Sequence, residues 1–120
     1  MQARTDTQVD PRFPPPPVEP SDRLTPIRTW YEMFVETGVT GVEFDLFWYE
    51  SVEAGLAYFF RWLGQPRATV LVVWDEQGPL HIECRTFGDQ PVSAPDADPI
   101  VAEVMTAFHG AGFLSELVTH

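Results

Sequence analysis

Residues 68–74 read Ala-Thr-Val-Leu-Val-Val-Trp, a run with no charge and one hydroxyl. It is too short for a helix of ordinary length, rich in β-branched side chains, and apolar on both alternations. Such a run is a central strand covered on both faces. Asp75-Glu76-Gln77-Gly78 supplies a tight turn with glycine at its end. Leu80, Ile82 and Cys84 then alternate with His81, Glu83 and Arg85. The pair reads as a β-hairpin.

The segments before the hairpin carry helix and strand signals. Thr25 as N-cap, Pro26 at the first helical position and Gly38 past the end predict a helix. Its apolar stripe of Ile27, Trp30, Tyr31, Phe34 and Val35 is expected to face the core. Val42, Phe44, Leu46 and Trp48 alternate with Glu43 and Asp45 and predict a strand, with Phe47 and Tyr49 covering its second face. Ser51 as cap and Gly64-x-Pro66 as terminator predict a second helix. That helix would be apolar nearly all round, from Val52, Leu56, Phe59, Phe60 and Leu63 together with Tyr58 and Trp62. Such a helix is deeply buried or packs on another chain.

After the hairpin, residues 88–97 are turn-rich. Asp98-Pro99 then opens a third helix with Ile100, Val101, Val104, Met105 and Phe108 on one face and Gly110 and Gly112 at its end. Residues 113–118 fit either a short edge strand or a last helical turn. Without the first helix the order is βαββαβ, so the expected class is α+β. The expected architecture is a ferredoxin-like sandwich or a related helix-on-sheet fold, with an extra N-terminal helix.

Residues 1–23 differ from the rest. They hold six prolines, including Pro14 to Pro17, and only Val9, Phe13 and Val18 as larger apolar side chains. This composition favours a polyproline II arm, flexible or loosely docked, preceding a single acidic domain over 24–120. Phe13 is its natural anchor, on its own domain or on a neighbouring subunit.

Charge is concentrated in that domain: residues 24–120 carry four Arg against fourteen Asp and Glu, and the whole chain has no Lys and a formal charge of −11. Such a surface repels phosphate backbones and anionic lipid, which removes the usual drive for direct nucleic-acid or membrane binding. Acidity also serves solubility alone. The single Cys84 cannot form an internal disulfide, and MQARTDTQVD lacks the apolar stretch of a secretory signal, so the expected location is cytoplasmic.

Catalytic chemistry finds little support. His81 and Cys84 are an odd number of positions apart on a strand and point to opposite faces, so no metal is expected there, and no cofactor. Cys84 shares the inward alternation with Leu80 and Ile82 and reads as a small core residue. His109 suits a helix C-terminus by itself. No glycine-rich phosphate loop is present. The one polar cluster that periodicity assembles is Glu43, Asp45, His81, Glu83 and Arg85, and its simpler reading is a solvated sheet face with a weak Glu83–Arg85 pair.

The leading expectation is therefore a non-enzymatic, regulatory protein-binding module of inhibitor, immunity, adaptor or chaperone type. It would cap a basic or apolar partner surface through Phe13, Phe47, Tyr49, Tyr58 and Trp62, with homodimerisation through the second helix as an option. Two alternatives follow from the same residues: a small-ligand sensor or enzyme using the sheet face around His81, and a nucleic-acid mimic that occupies a basic cleft with carboxylates.

Overall fold

The computed structural model describes residues 12–112. Among them, five strands form one antiparallel sheet in chain order: β1 (Leu24–Pro26), β2 (Ala57–Trp62), β3 (Ala68–Asp75), β4 (Gly78–Thr86) and β5 (Gln90–Pro91). Three helices join them, α1 (Trp30–Thr40), α2 (Leu46–Glu53) and α3 (Ala94–Gly110). The class is α+β. The strands run as a meander, each paired with its neighbour in sequence, whereas the ferredoxin-like order places another strand between the two strands of each βαβ unit.

β3 lies at the centre, and its side chains feed two cores. Tyr58, Phe60 and Trp62 from β2, Val70 and Val72 from β3 and Ile82 from β4 meet Ile100, Val104 and Phe108 of α3. Ala57, Phe59 and Leu71 point the other way, toward Met33 of α1, Val42 and Phe44 of the segment before α2, and Val52 of α2. The molecule is thus a sheet between two helical layers, as the doubly apolar run 68–74 demands. Burial at ~25 cal/mol per Å² makes both layers the main source of stability.

The hairpin forms where the sequence predicts it, except that Leu80, expected inward, is the extra residue at a register shift opposite Val73 and Trp74 and is exposed. α3 carries the predicted stripe but starts at Ala94 with Ser93 as its N-cap, inside the expected loop, so Pro99 lies within the helix instead of opening it. Residues 42–63 do not form the expected elements. The expected strand over 42–49 is an irregular segment followed by α2, and the expected helix over 51–63 ends at Ala54. Gly55, at φ 78°, stops α2 with a Schellman pair: Leu56 N–H donates to Ser51 C=O at 2.9 Å and Gly55 N–H to Val52 C=O at 3.0 Å. The chain then extends as β2, where aromatic side chains suit a two-sided strand. The aromatics that overfill a helix are divided between two cores in a strand.

The first helix is also displaced. Leu24, Thr25 and Pro26 pair with Trp62, Arg61 and Phe60 as β1. The cap of α1 is Thr29, whose hydroxyl accepts from Glu32 N–H at 3.0 Å, while the Glu32 carboxylate accepts from Arg28 N–H at 2.8 Å. The helix passes through Gly38 and closes at Gly41, φ 76°.

The described part of the proline-rich arm lies across the β1 edge. Phe13 N–H donates to Arg28 C=O at 2.8 Å, and the Phe13 ring, 5 % exposed, packs edge-on against Phe59. Val18 packs on the core beneath α3, and the Ser21 hydroxyl bonds the Glu103 carboxylate. The expectation for residues 113–118 lies outside the described residues.

Candidate protein-interaction face

α1 presents its faces in an unusual way. The residues it buries are Met33, Glu36 and Thr40. Its apolar stripe, Tyr31, Phe34, Val35 and Val39, faces away from the core, with Tyr31 63 % and Phe34 73 % exposed. The inward polar row has a built partner set on the sheet. Arg67 grips Glu36 with both terminal nitrogens, at 2.9 and 2.6 Å, and the Thr69 hydroxyl donates to the same carboxylate at 2.5 Å. Arg67 also donates to Ala68 C=O, and the Thr40 and Thr69 hydroxyls lie 3.2 Å apart. A carboxylate buried to 1 % exposure is tolerable only when paired and hydrogen-bonded in this way. Glu36 and Thr40 therefore fix the helix's rotation, and the stripe is left outside.

α2 extends the exposed apolar surface. Leu46 and Phe47 on its first turn stand clear of the core. Between the two helices lies a groove of about 390 Å³ lined by Trp30, Phe34, Thr37, Glu43, Phe44, Leu46 and Tyr49. At its floor the Trp30 ring lies tilted against Tyr49, 4.7 Å between ring centroids, and donates from Nε1 to Glu53 at 2.6 Å. Burial raises the Tyr49 phenol above its ordinary pKa; the neighbouring Thr37 hydroxyl works against this and the nearby Glu43 charge adds to it.

The residues singled out from sequence are scattered. Phe47 is exposed beside Leu46, and Tyr49 lines the groove. Phe13, Tyr58 and Trp62 are core residues, shielded from any partner in this conformation. Tyr31, Phe34, Val35, Val39 and Leu46 were missed, because an amphipathic stripe is ordinarily assigned to the inside. The signal against that assignment was the second polar row, Glu36 and Thr40, one turn apart.

The polar cluster is partly assembled. His81, Glu83 and Arg85 alternate on the β4 face that looks toward α1 and α2. Arg85 donates from Nε to Glu83 at 2.6 Å and from Nη1 to Asp89 at 3.0 Å and the Glu43 carbonyl at 3.3 Å, and its guanidinium lies 4.6 Å from the Phe44 ring centroid. Partial burial disfavours its charge, but Asp89 and Glu83 more than offset this and raise its pKa. His81 Nε2 reaches Glu83 at 4.0 Å, and Asp45 is exposed at the start of α2. The arrangement holds the strand end to the turn that follows it; the guanidinium is occupied by internal acceptors.

On the other side of β4, a cleft of about 440 Å³ is lined by Ile82, Cys84, Val92, Ala97 and Val101, with His81 and Glu83 at its margin. Burial and then the Glu83 charge push the Cys84 thiol up to about 12, which removes the thiolate that nucleophilic chemistry needs. Among the described residues no cluster of three or more His, Cys, Asp or Glu could hold a metal ion, and no helix is long and apolar enough to cross a membrane.

These features define an α+β protein whose most exposed apolar surface is helical. No family model, curated protein or solved structure matches the chain.

Proposed function

We propose that the protein is a non-enzymatic binding module that uses the outer face of α1 and α2 to cover an apolar surface of another protein. One observation carries the reading. Tyr31, Phe34, Val35 and Val39 form a complete helical stripe in solvent, with Leu46 and Phe47 adding to it. Exposed apolar area of this kind is costly for a free protein, and contiguous patches mark interaction sites. The stripe is held outward by the Glu36–Arg67 pair rather than left there by a poor fit.

Photo-cross-linking in cells of the native source tests the reading. A photoreactive residue in place of Phe34 is expected to give discrete protein adducts, whereas one in place of the exposed Asp96 on α3 gives none. Equal labelling at both positions would remove the face's claim to specificity. Absence of adducts at position 34, together with a ligand-induced rise in Tm that His81→Ala abolishes, would move the function to the cleft beside β4.

A further inference from the structure

We infer that the occupant of the α1–α2 face is an amphipathic helix with a cationic flank, laid along α1 with its apolar side on Phe34 and Val35 and its Lys or Arg side chains over the rim carboxylates. The inference rests on the binding reading above and adds the partner's chemistry.

Charge is the first argument. From Thr29 to Phe60 the chain carries six acidic residues and no Arg, Lys or His. Three of the six are engaged within the fold: Glu36 by Arg67, Glu32 by Arg61 at 3.5 Å, and Glu53 by the Trp30 indole. Glu43, Asp45 and Glu50 are exposed, and Glu43 lines the groove itself. A cationic rim on the partner would complement them and speed its encounter. A second copy is the wrong partner. A two-fold contact sets the patch against itself, so its exposed carboxylates would meet a surface as acidic as their own, between chains of net charge −11.

Shape is the second. Tyr31 to Val39 spans about 12 Å of helix, two turns with ridges that a second helix can straddle. Gly38 sits in the middle of the stripe, and a Cβ placed there would meet no atom within 4 Å. It opens a notch in which a partner backbone can approach α1 closely. An extended peptide gains affinity from unpaired backbone groups on a sheet edge, and the side of a helix offers none. A helix laid in the groove needs only side-chain contacts.

The test uses the full chain and three labelled peptides: Leu and Lys in amphipathic helical register, the same composition in scrambled order, and Leu with Glu in the helical register. Fluorescence anisotropy should show binding of the first alone, weakened by added salt. Phe34→Ser should weaken it by about tenfold or more, and Glu43→Gln with Asp45→Asn should weaken it several-fold and flatten the salt dependence. Phe34 is exposed, so the variant should keep the parent's circular dichroism. Equal binding of the scrambled peptide, or no effect of Phe34→Ser, would overturn the inference in favour of plain charge attraction. A dimer in sedimentation that Phe34→Ser dissociates would overturn it in favour of a second copy. If no peptide binds while cross-linking at position 34 still yields adducts, the binding module stands and the helical class of partner falls.

Discussion

α1 and α3 cover opposite faces of one sheet and bury opposite kinds of side chain. α3 turns Ala97, Ile100, Val104 and Phe108 inward and leaves Asp96, Asp98 and Thr106 in solvent. α1 turns Glu36 and Thr40 inward with Met33 and leaves Tyr31, Phe34, Val35 and Val39 outside. The sheet explains the difference. Toward α3 it offers an apolar floor of Tyr58, Phe60, Val70 and Val72, which any polar side chain would spoil. Toward α1 it offers Thr69, and Arg67 reaches in from the turn before β3, a donor set that an apolar side chain would leave unsatisfied. Amphipathicity says that a helix has two faces; the surface it meets decides which one is buried.

Two phenylalanines make the largest test of that contrast. Phe108→Ala is expected to cost about 3–5 kcal/mol, because it opens a cavity in a closed apolar layer. Phe34→Ala should stay within about 0.5 kcal/mol, as exposed positions do. Urea unfolding of both variants measures the difference directly. A loss at Phe34 comparable to that at Phe108 would mean that α1 is packed by its stripe after all, and the proposed interaction face would disappear with it.

Glu36 comes next. Glu36→Ala leaves the Arg67 guanidinium and the Thr69 hydroxyl without their shared acceptor, at an expected cost of about 3 kcal/mol, the low end for breaking a buried pair because Arg67 retains some access to water. The double variant Glu36→Leu with Arg67→Met should recover most of this loss, since apolar replacement of a buried pair is often close to neutral. Denaturant midpoints for the three proteins decide the matter. A double variant as unstable as the single one would show that the carboxylate's surroundings, rather than its pairing with Arg67, set the rotation of α1.

Sequence patterns identify the elements whose two faces differ in the ordinary sense. The strands of the hairpin from Ala68 to Thr86 and the stripe of α3 are legible, though Leu80 at the register shift of β4 and the start of α3 at Ala94 are not. Residues 42–63 are not legible, because aromatic side chains fill both templates. Phe44, Leu46 and Trp48 alternate like a strand, although Trp48 and Val52 in fact share the inner side of α2. Tyr58 to Trp62 match a helix that is apolar all round equally well. Gly55 was the discriminating residue, since its left-handed backbone ends a helix that the flanking side chains would continue. Of the candidate face, Phe47 and Tyr49 were legible as surplus aromatics. Phe34 and its neighbours were not, because only the position of Arg67 in three dimensions shows that Glu36 is satisfied inside.

Gly38 offers the smallest effect and the finest distinction. Glycine inside a helix is less favourable than alanine by about 0.5–1 kcal/mol, through the backbone freedom it loses on folding. Its backbone here is ordinary helix, and a methyl group would meet nothing within 4 Å. Gly38→Ala should therefore stabilise the free protein by about that amount, seen as a raised denaturant midpoint. In the complex the same methyl would fill the notch against which a helix packs, so affinity should fall while stability rises. A binding surface is the one setting in which those two quantities are expected to move in opposite directions at this residue. If both rise together, the notch is unused, and the partner's contacts lie toward Leu46 and Phe47 rather than along the stripe of α1.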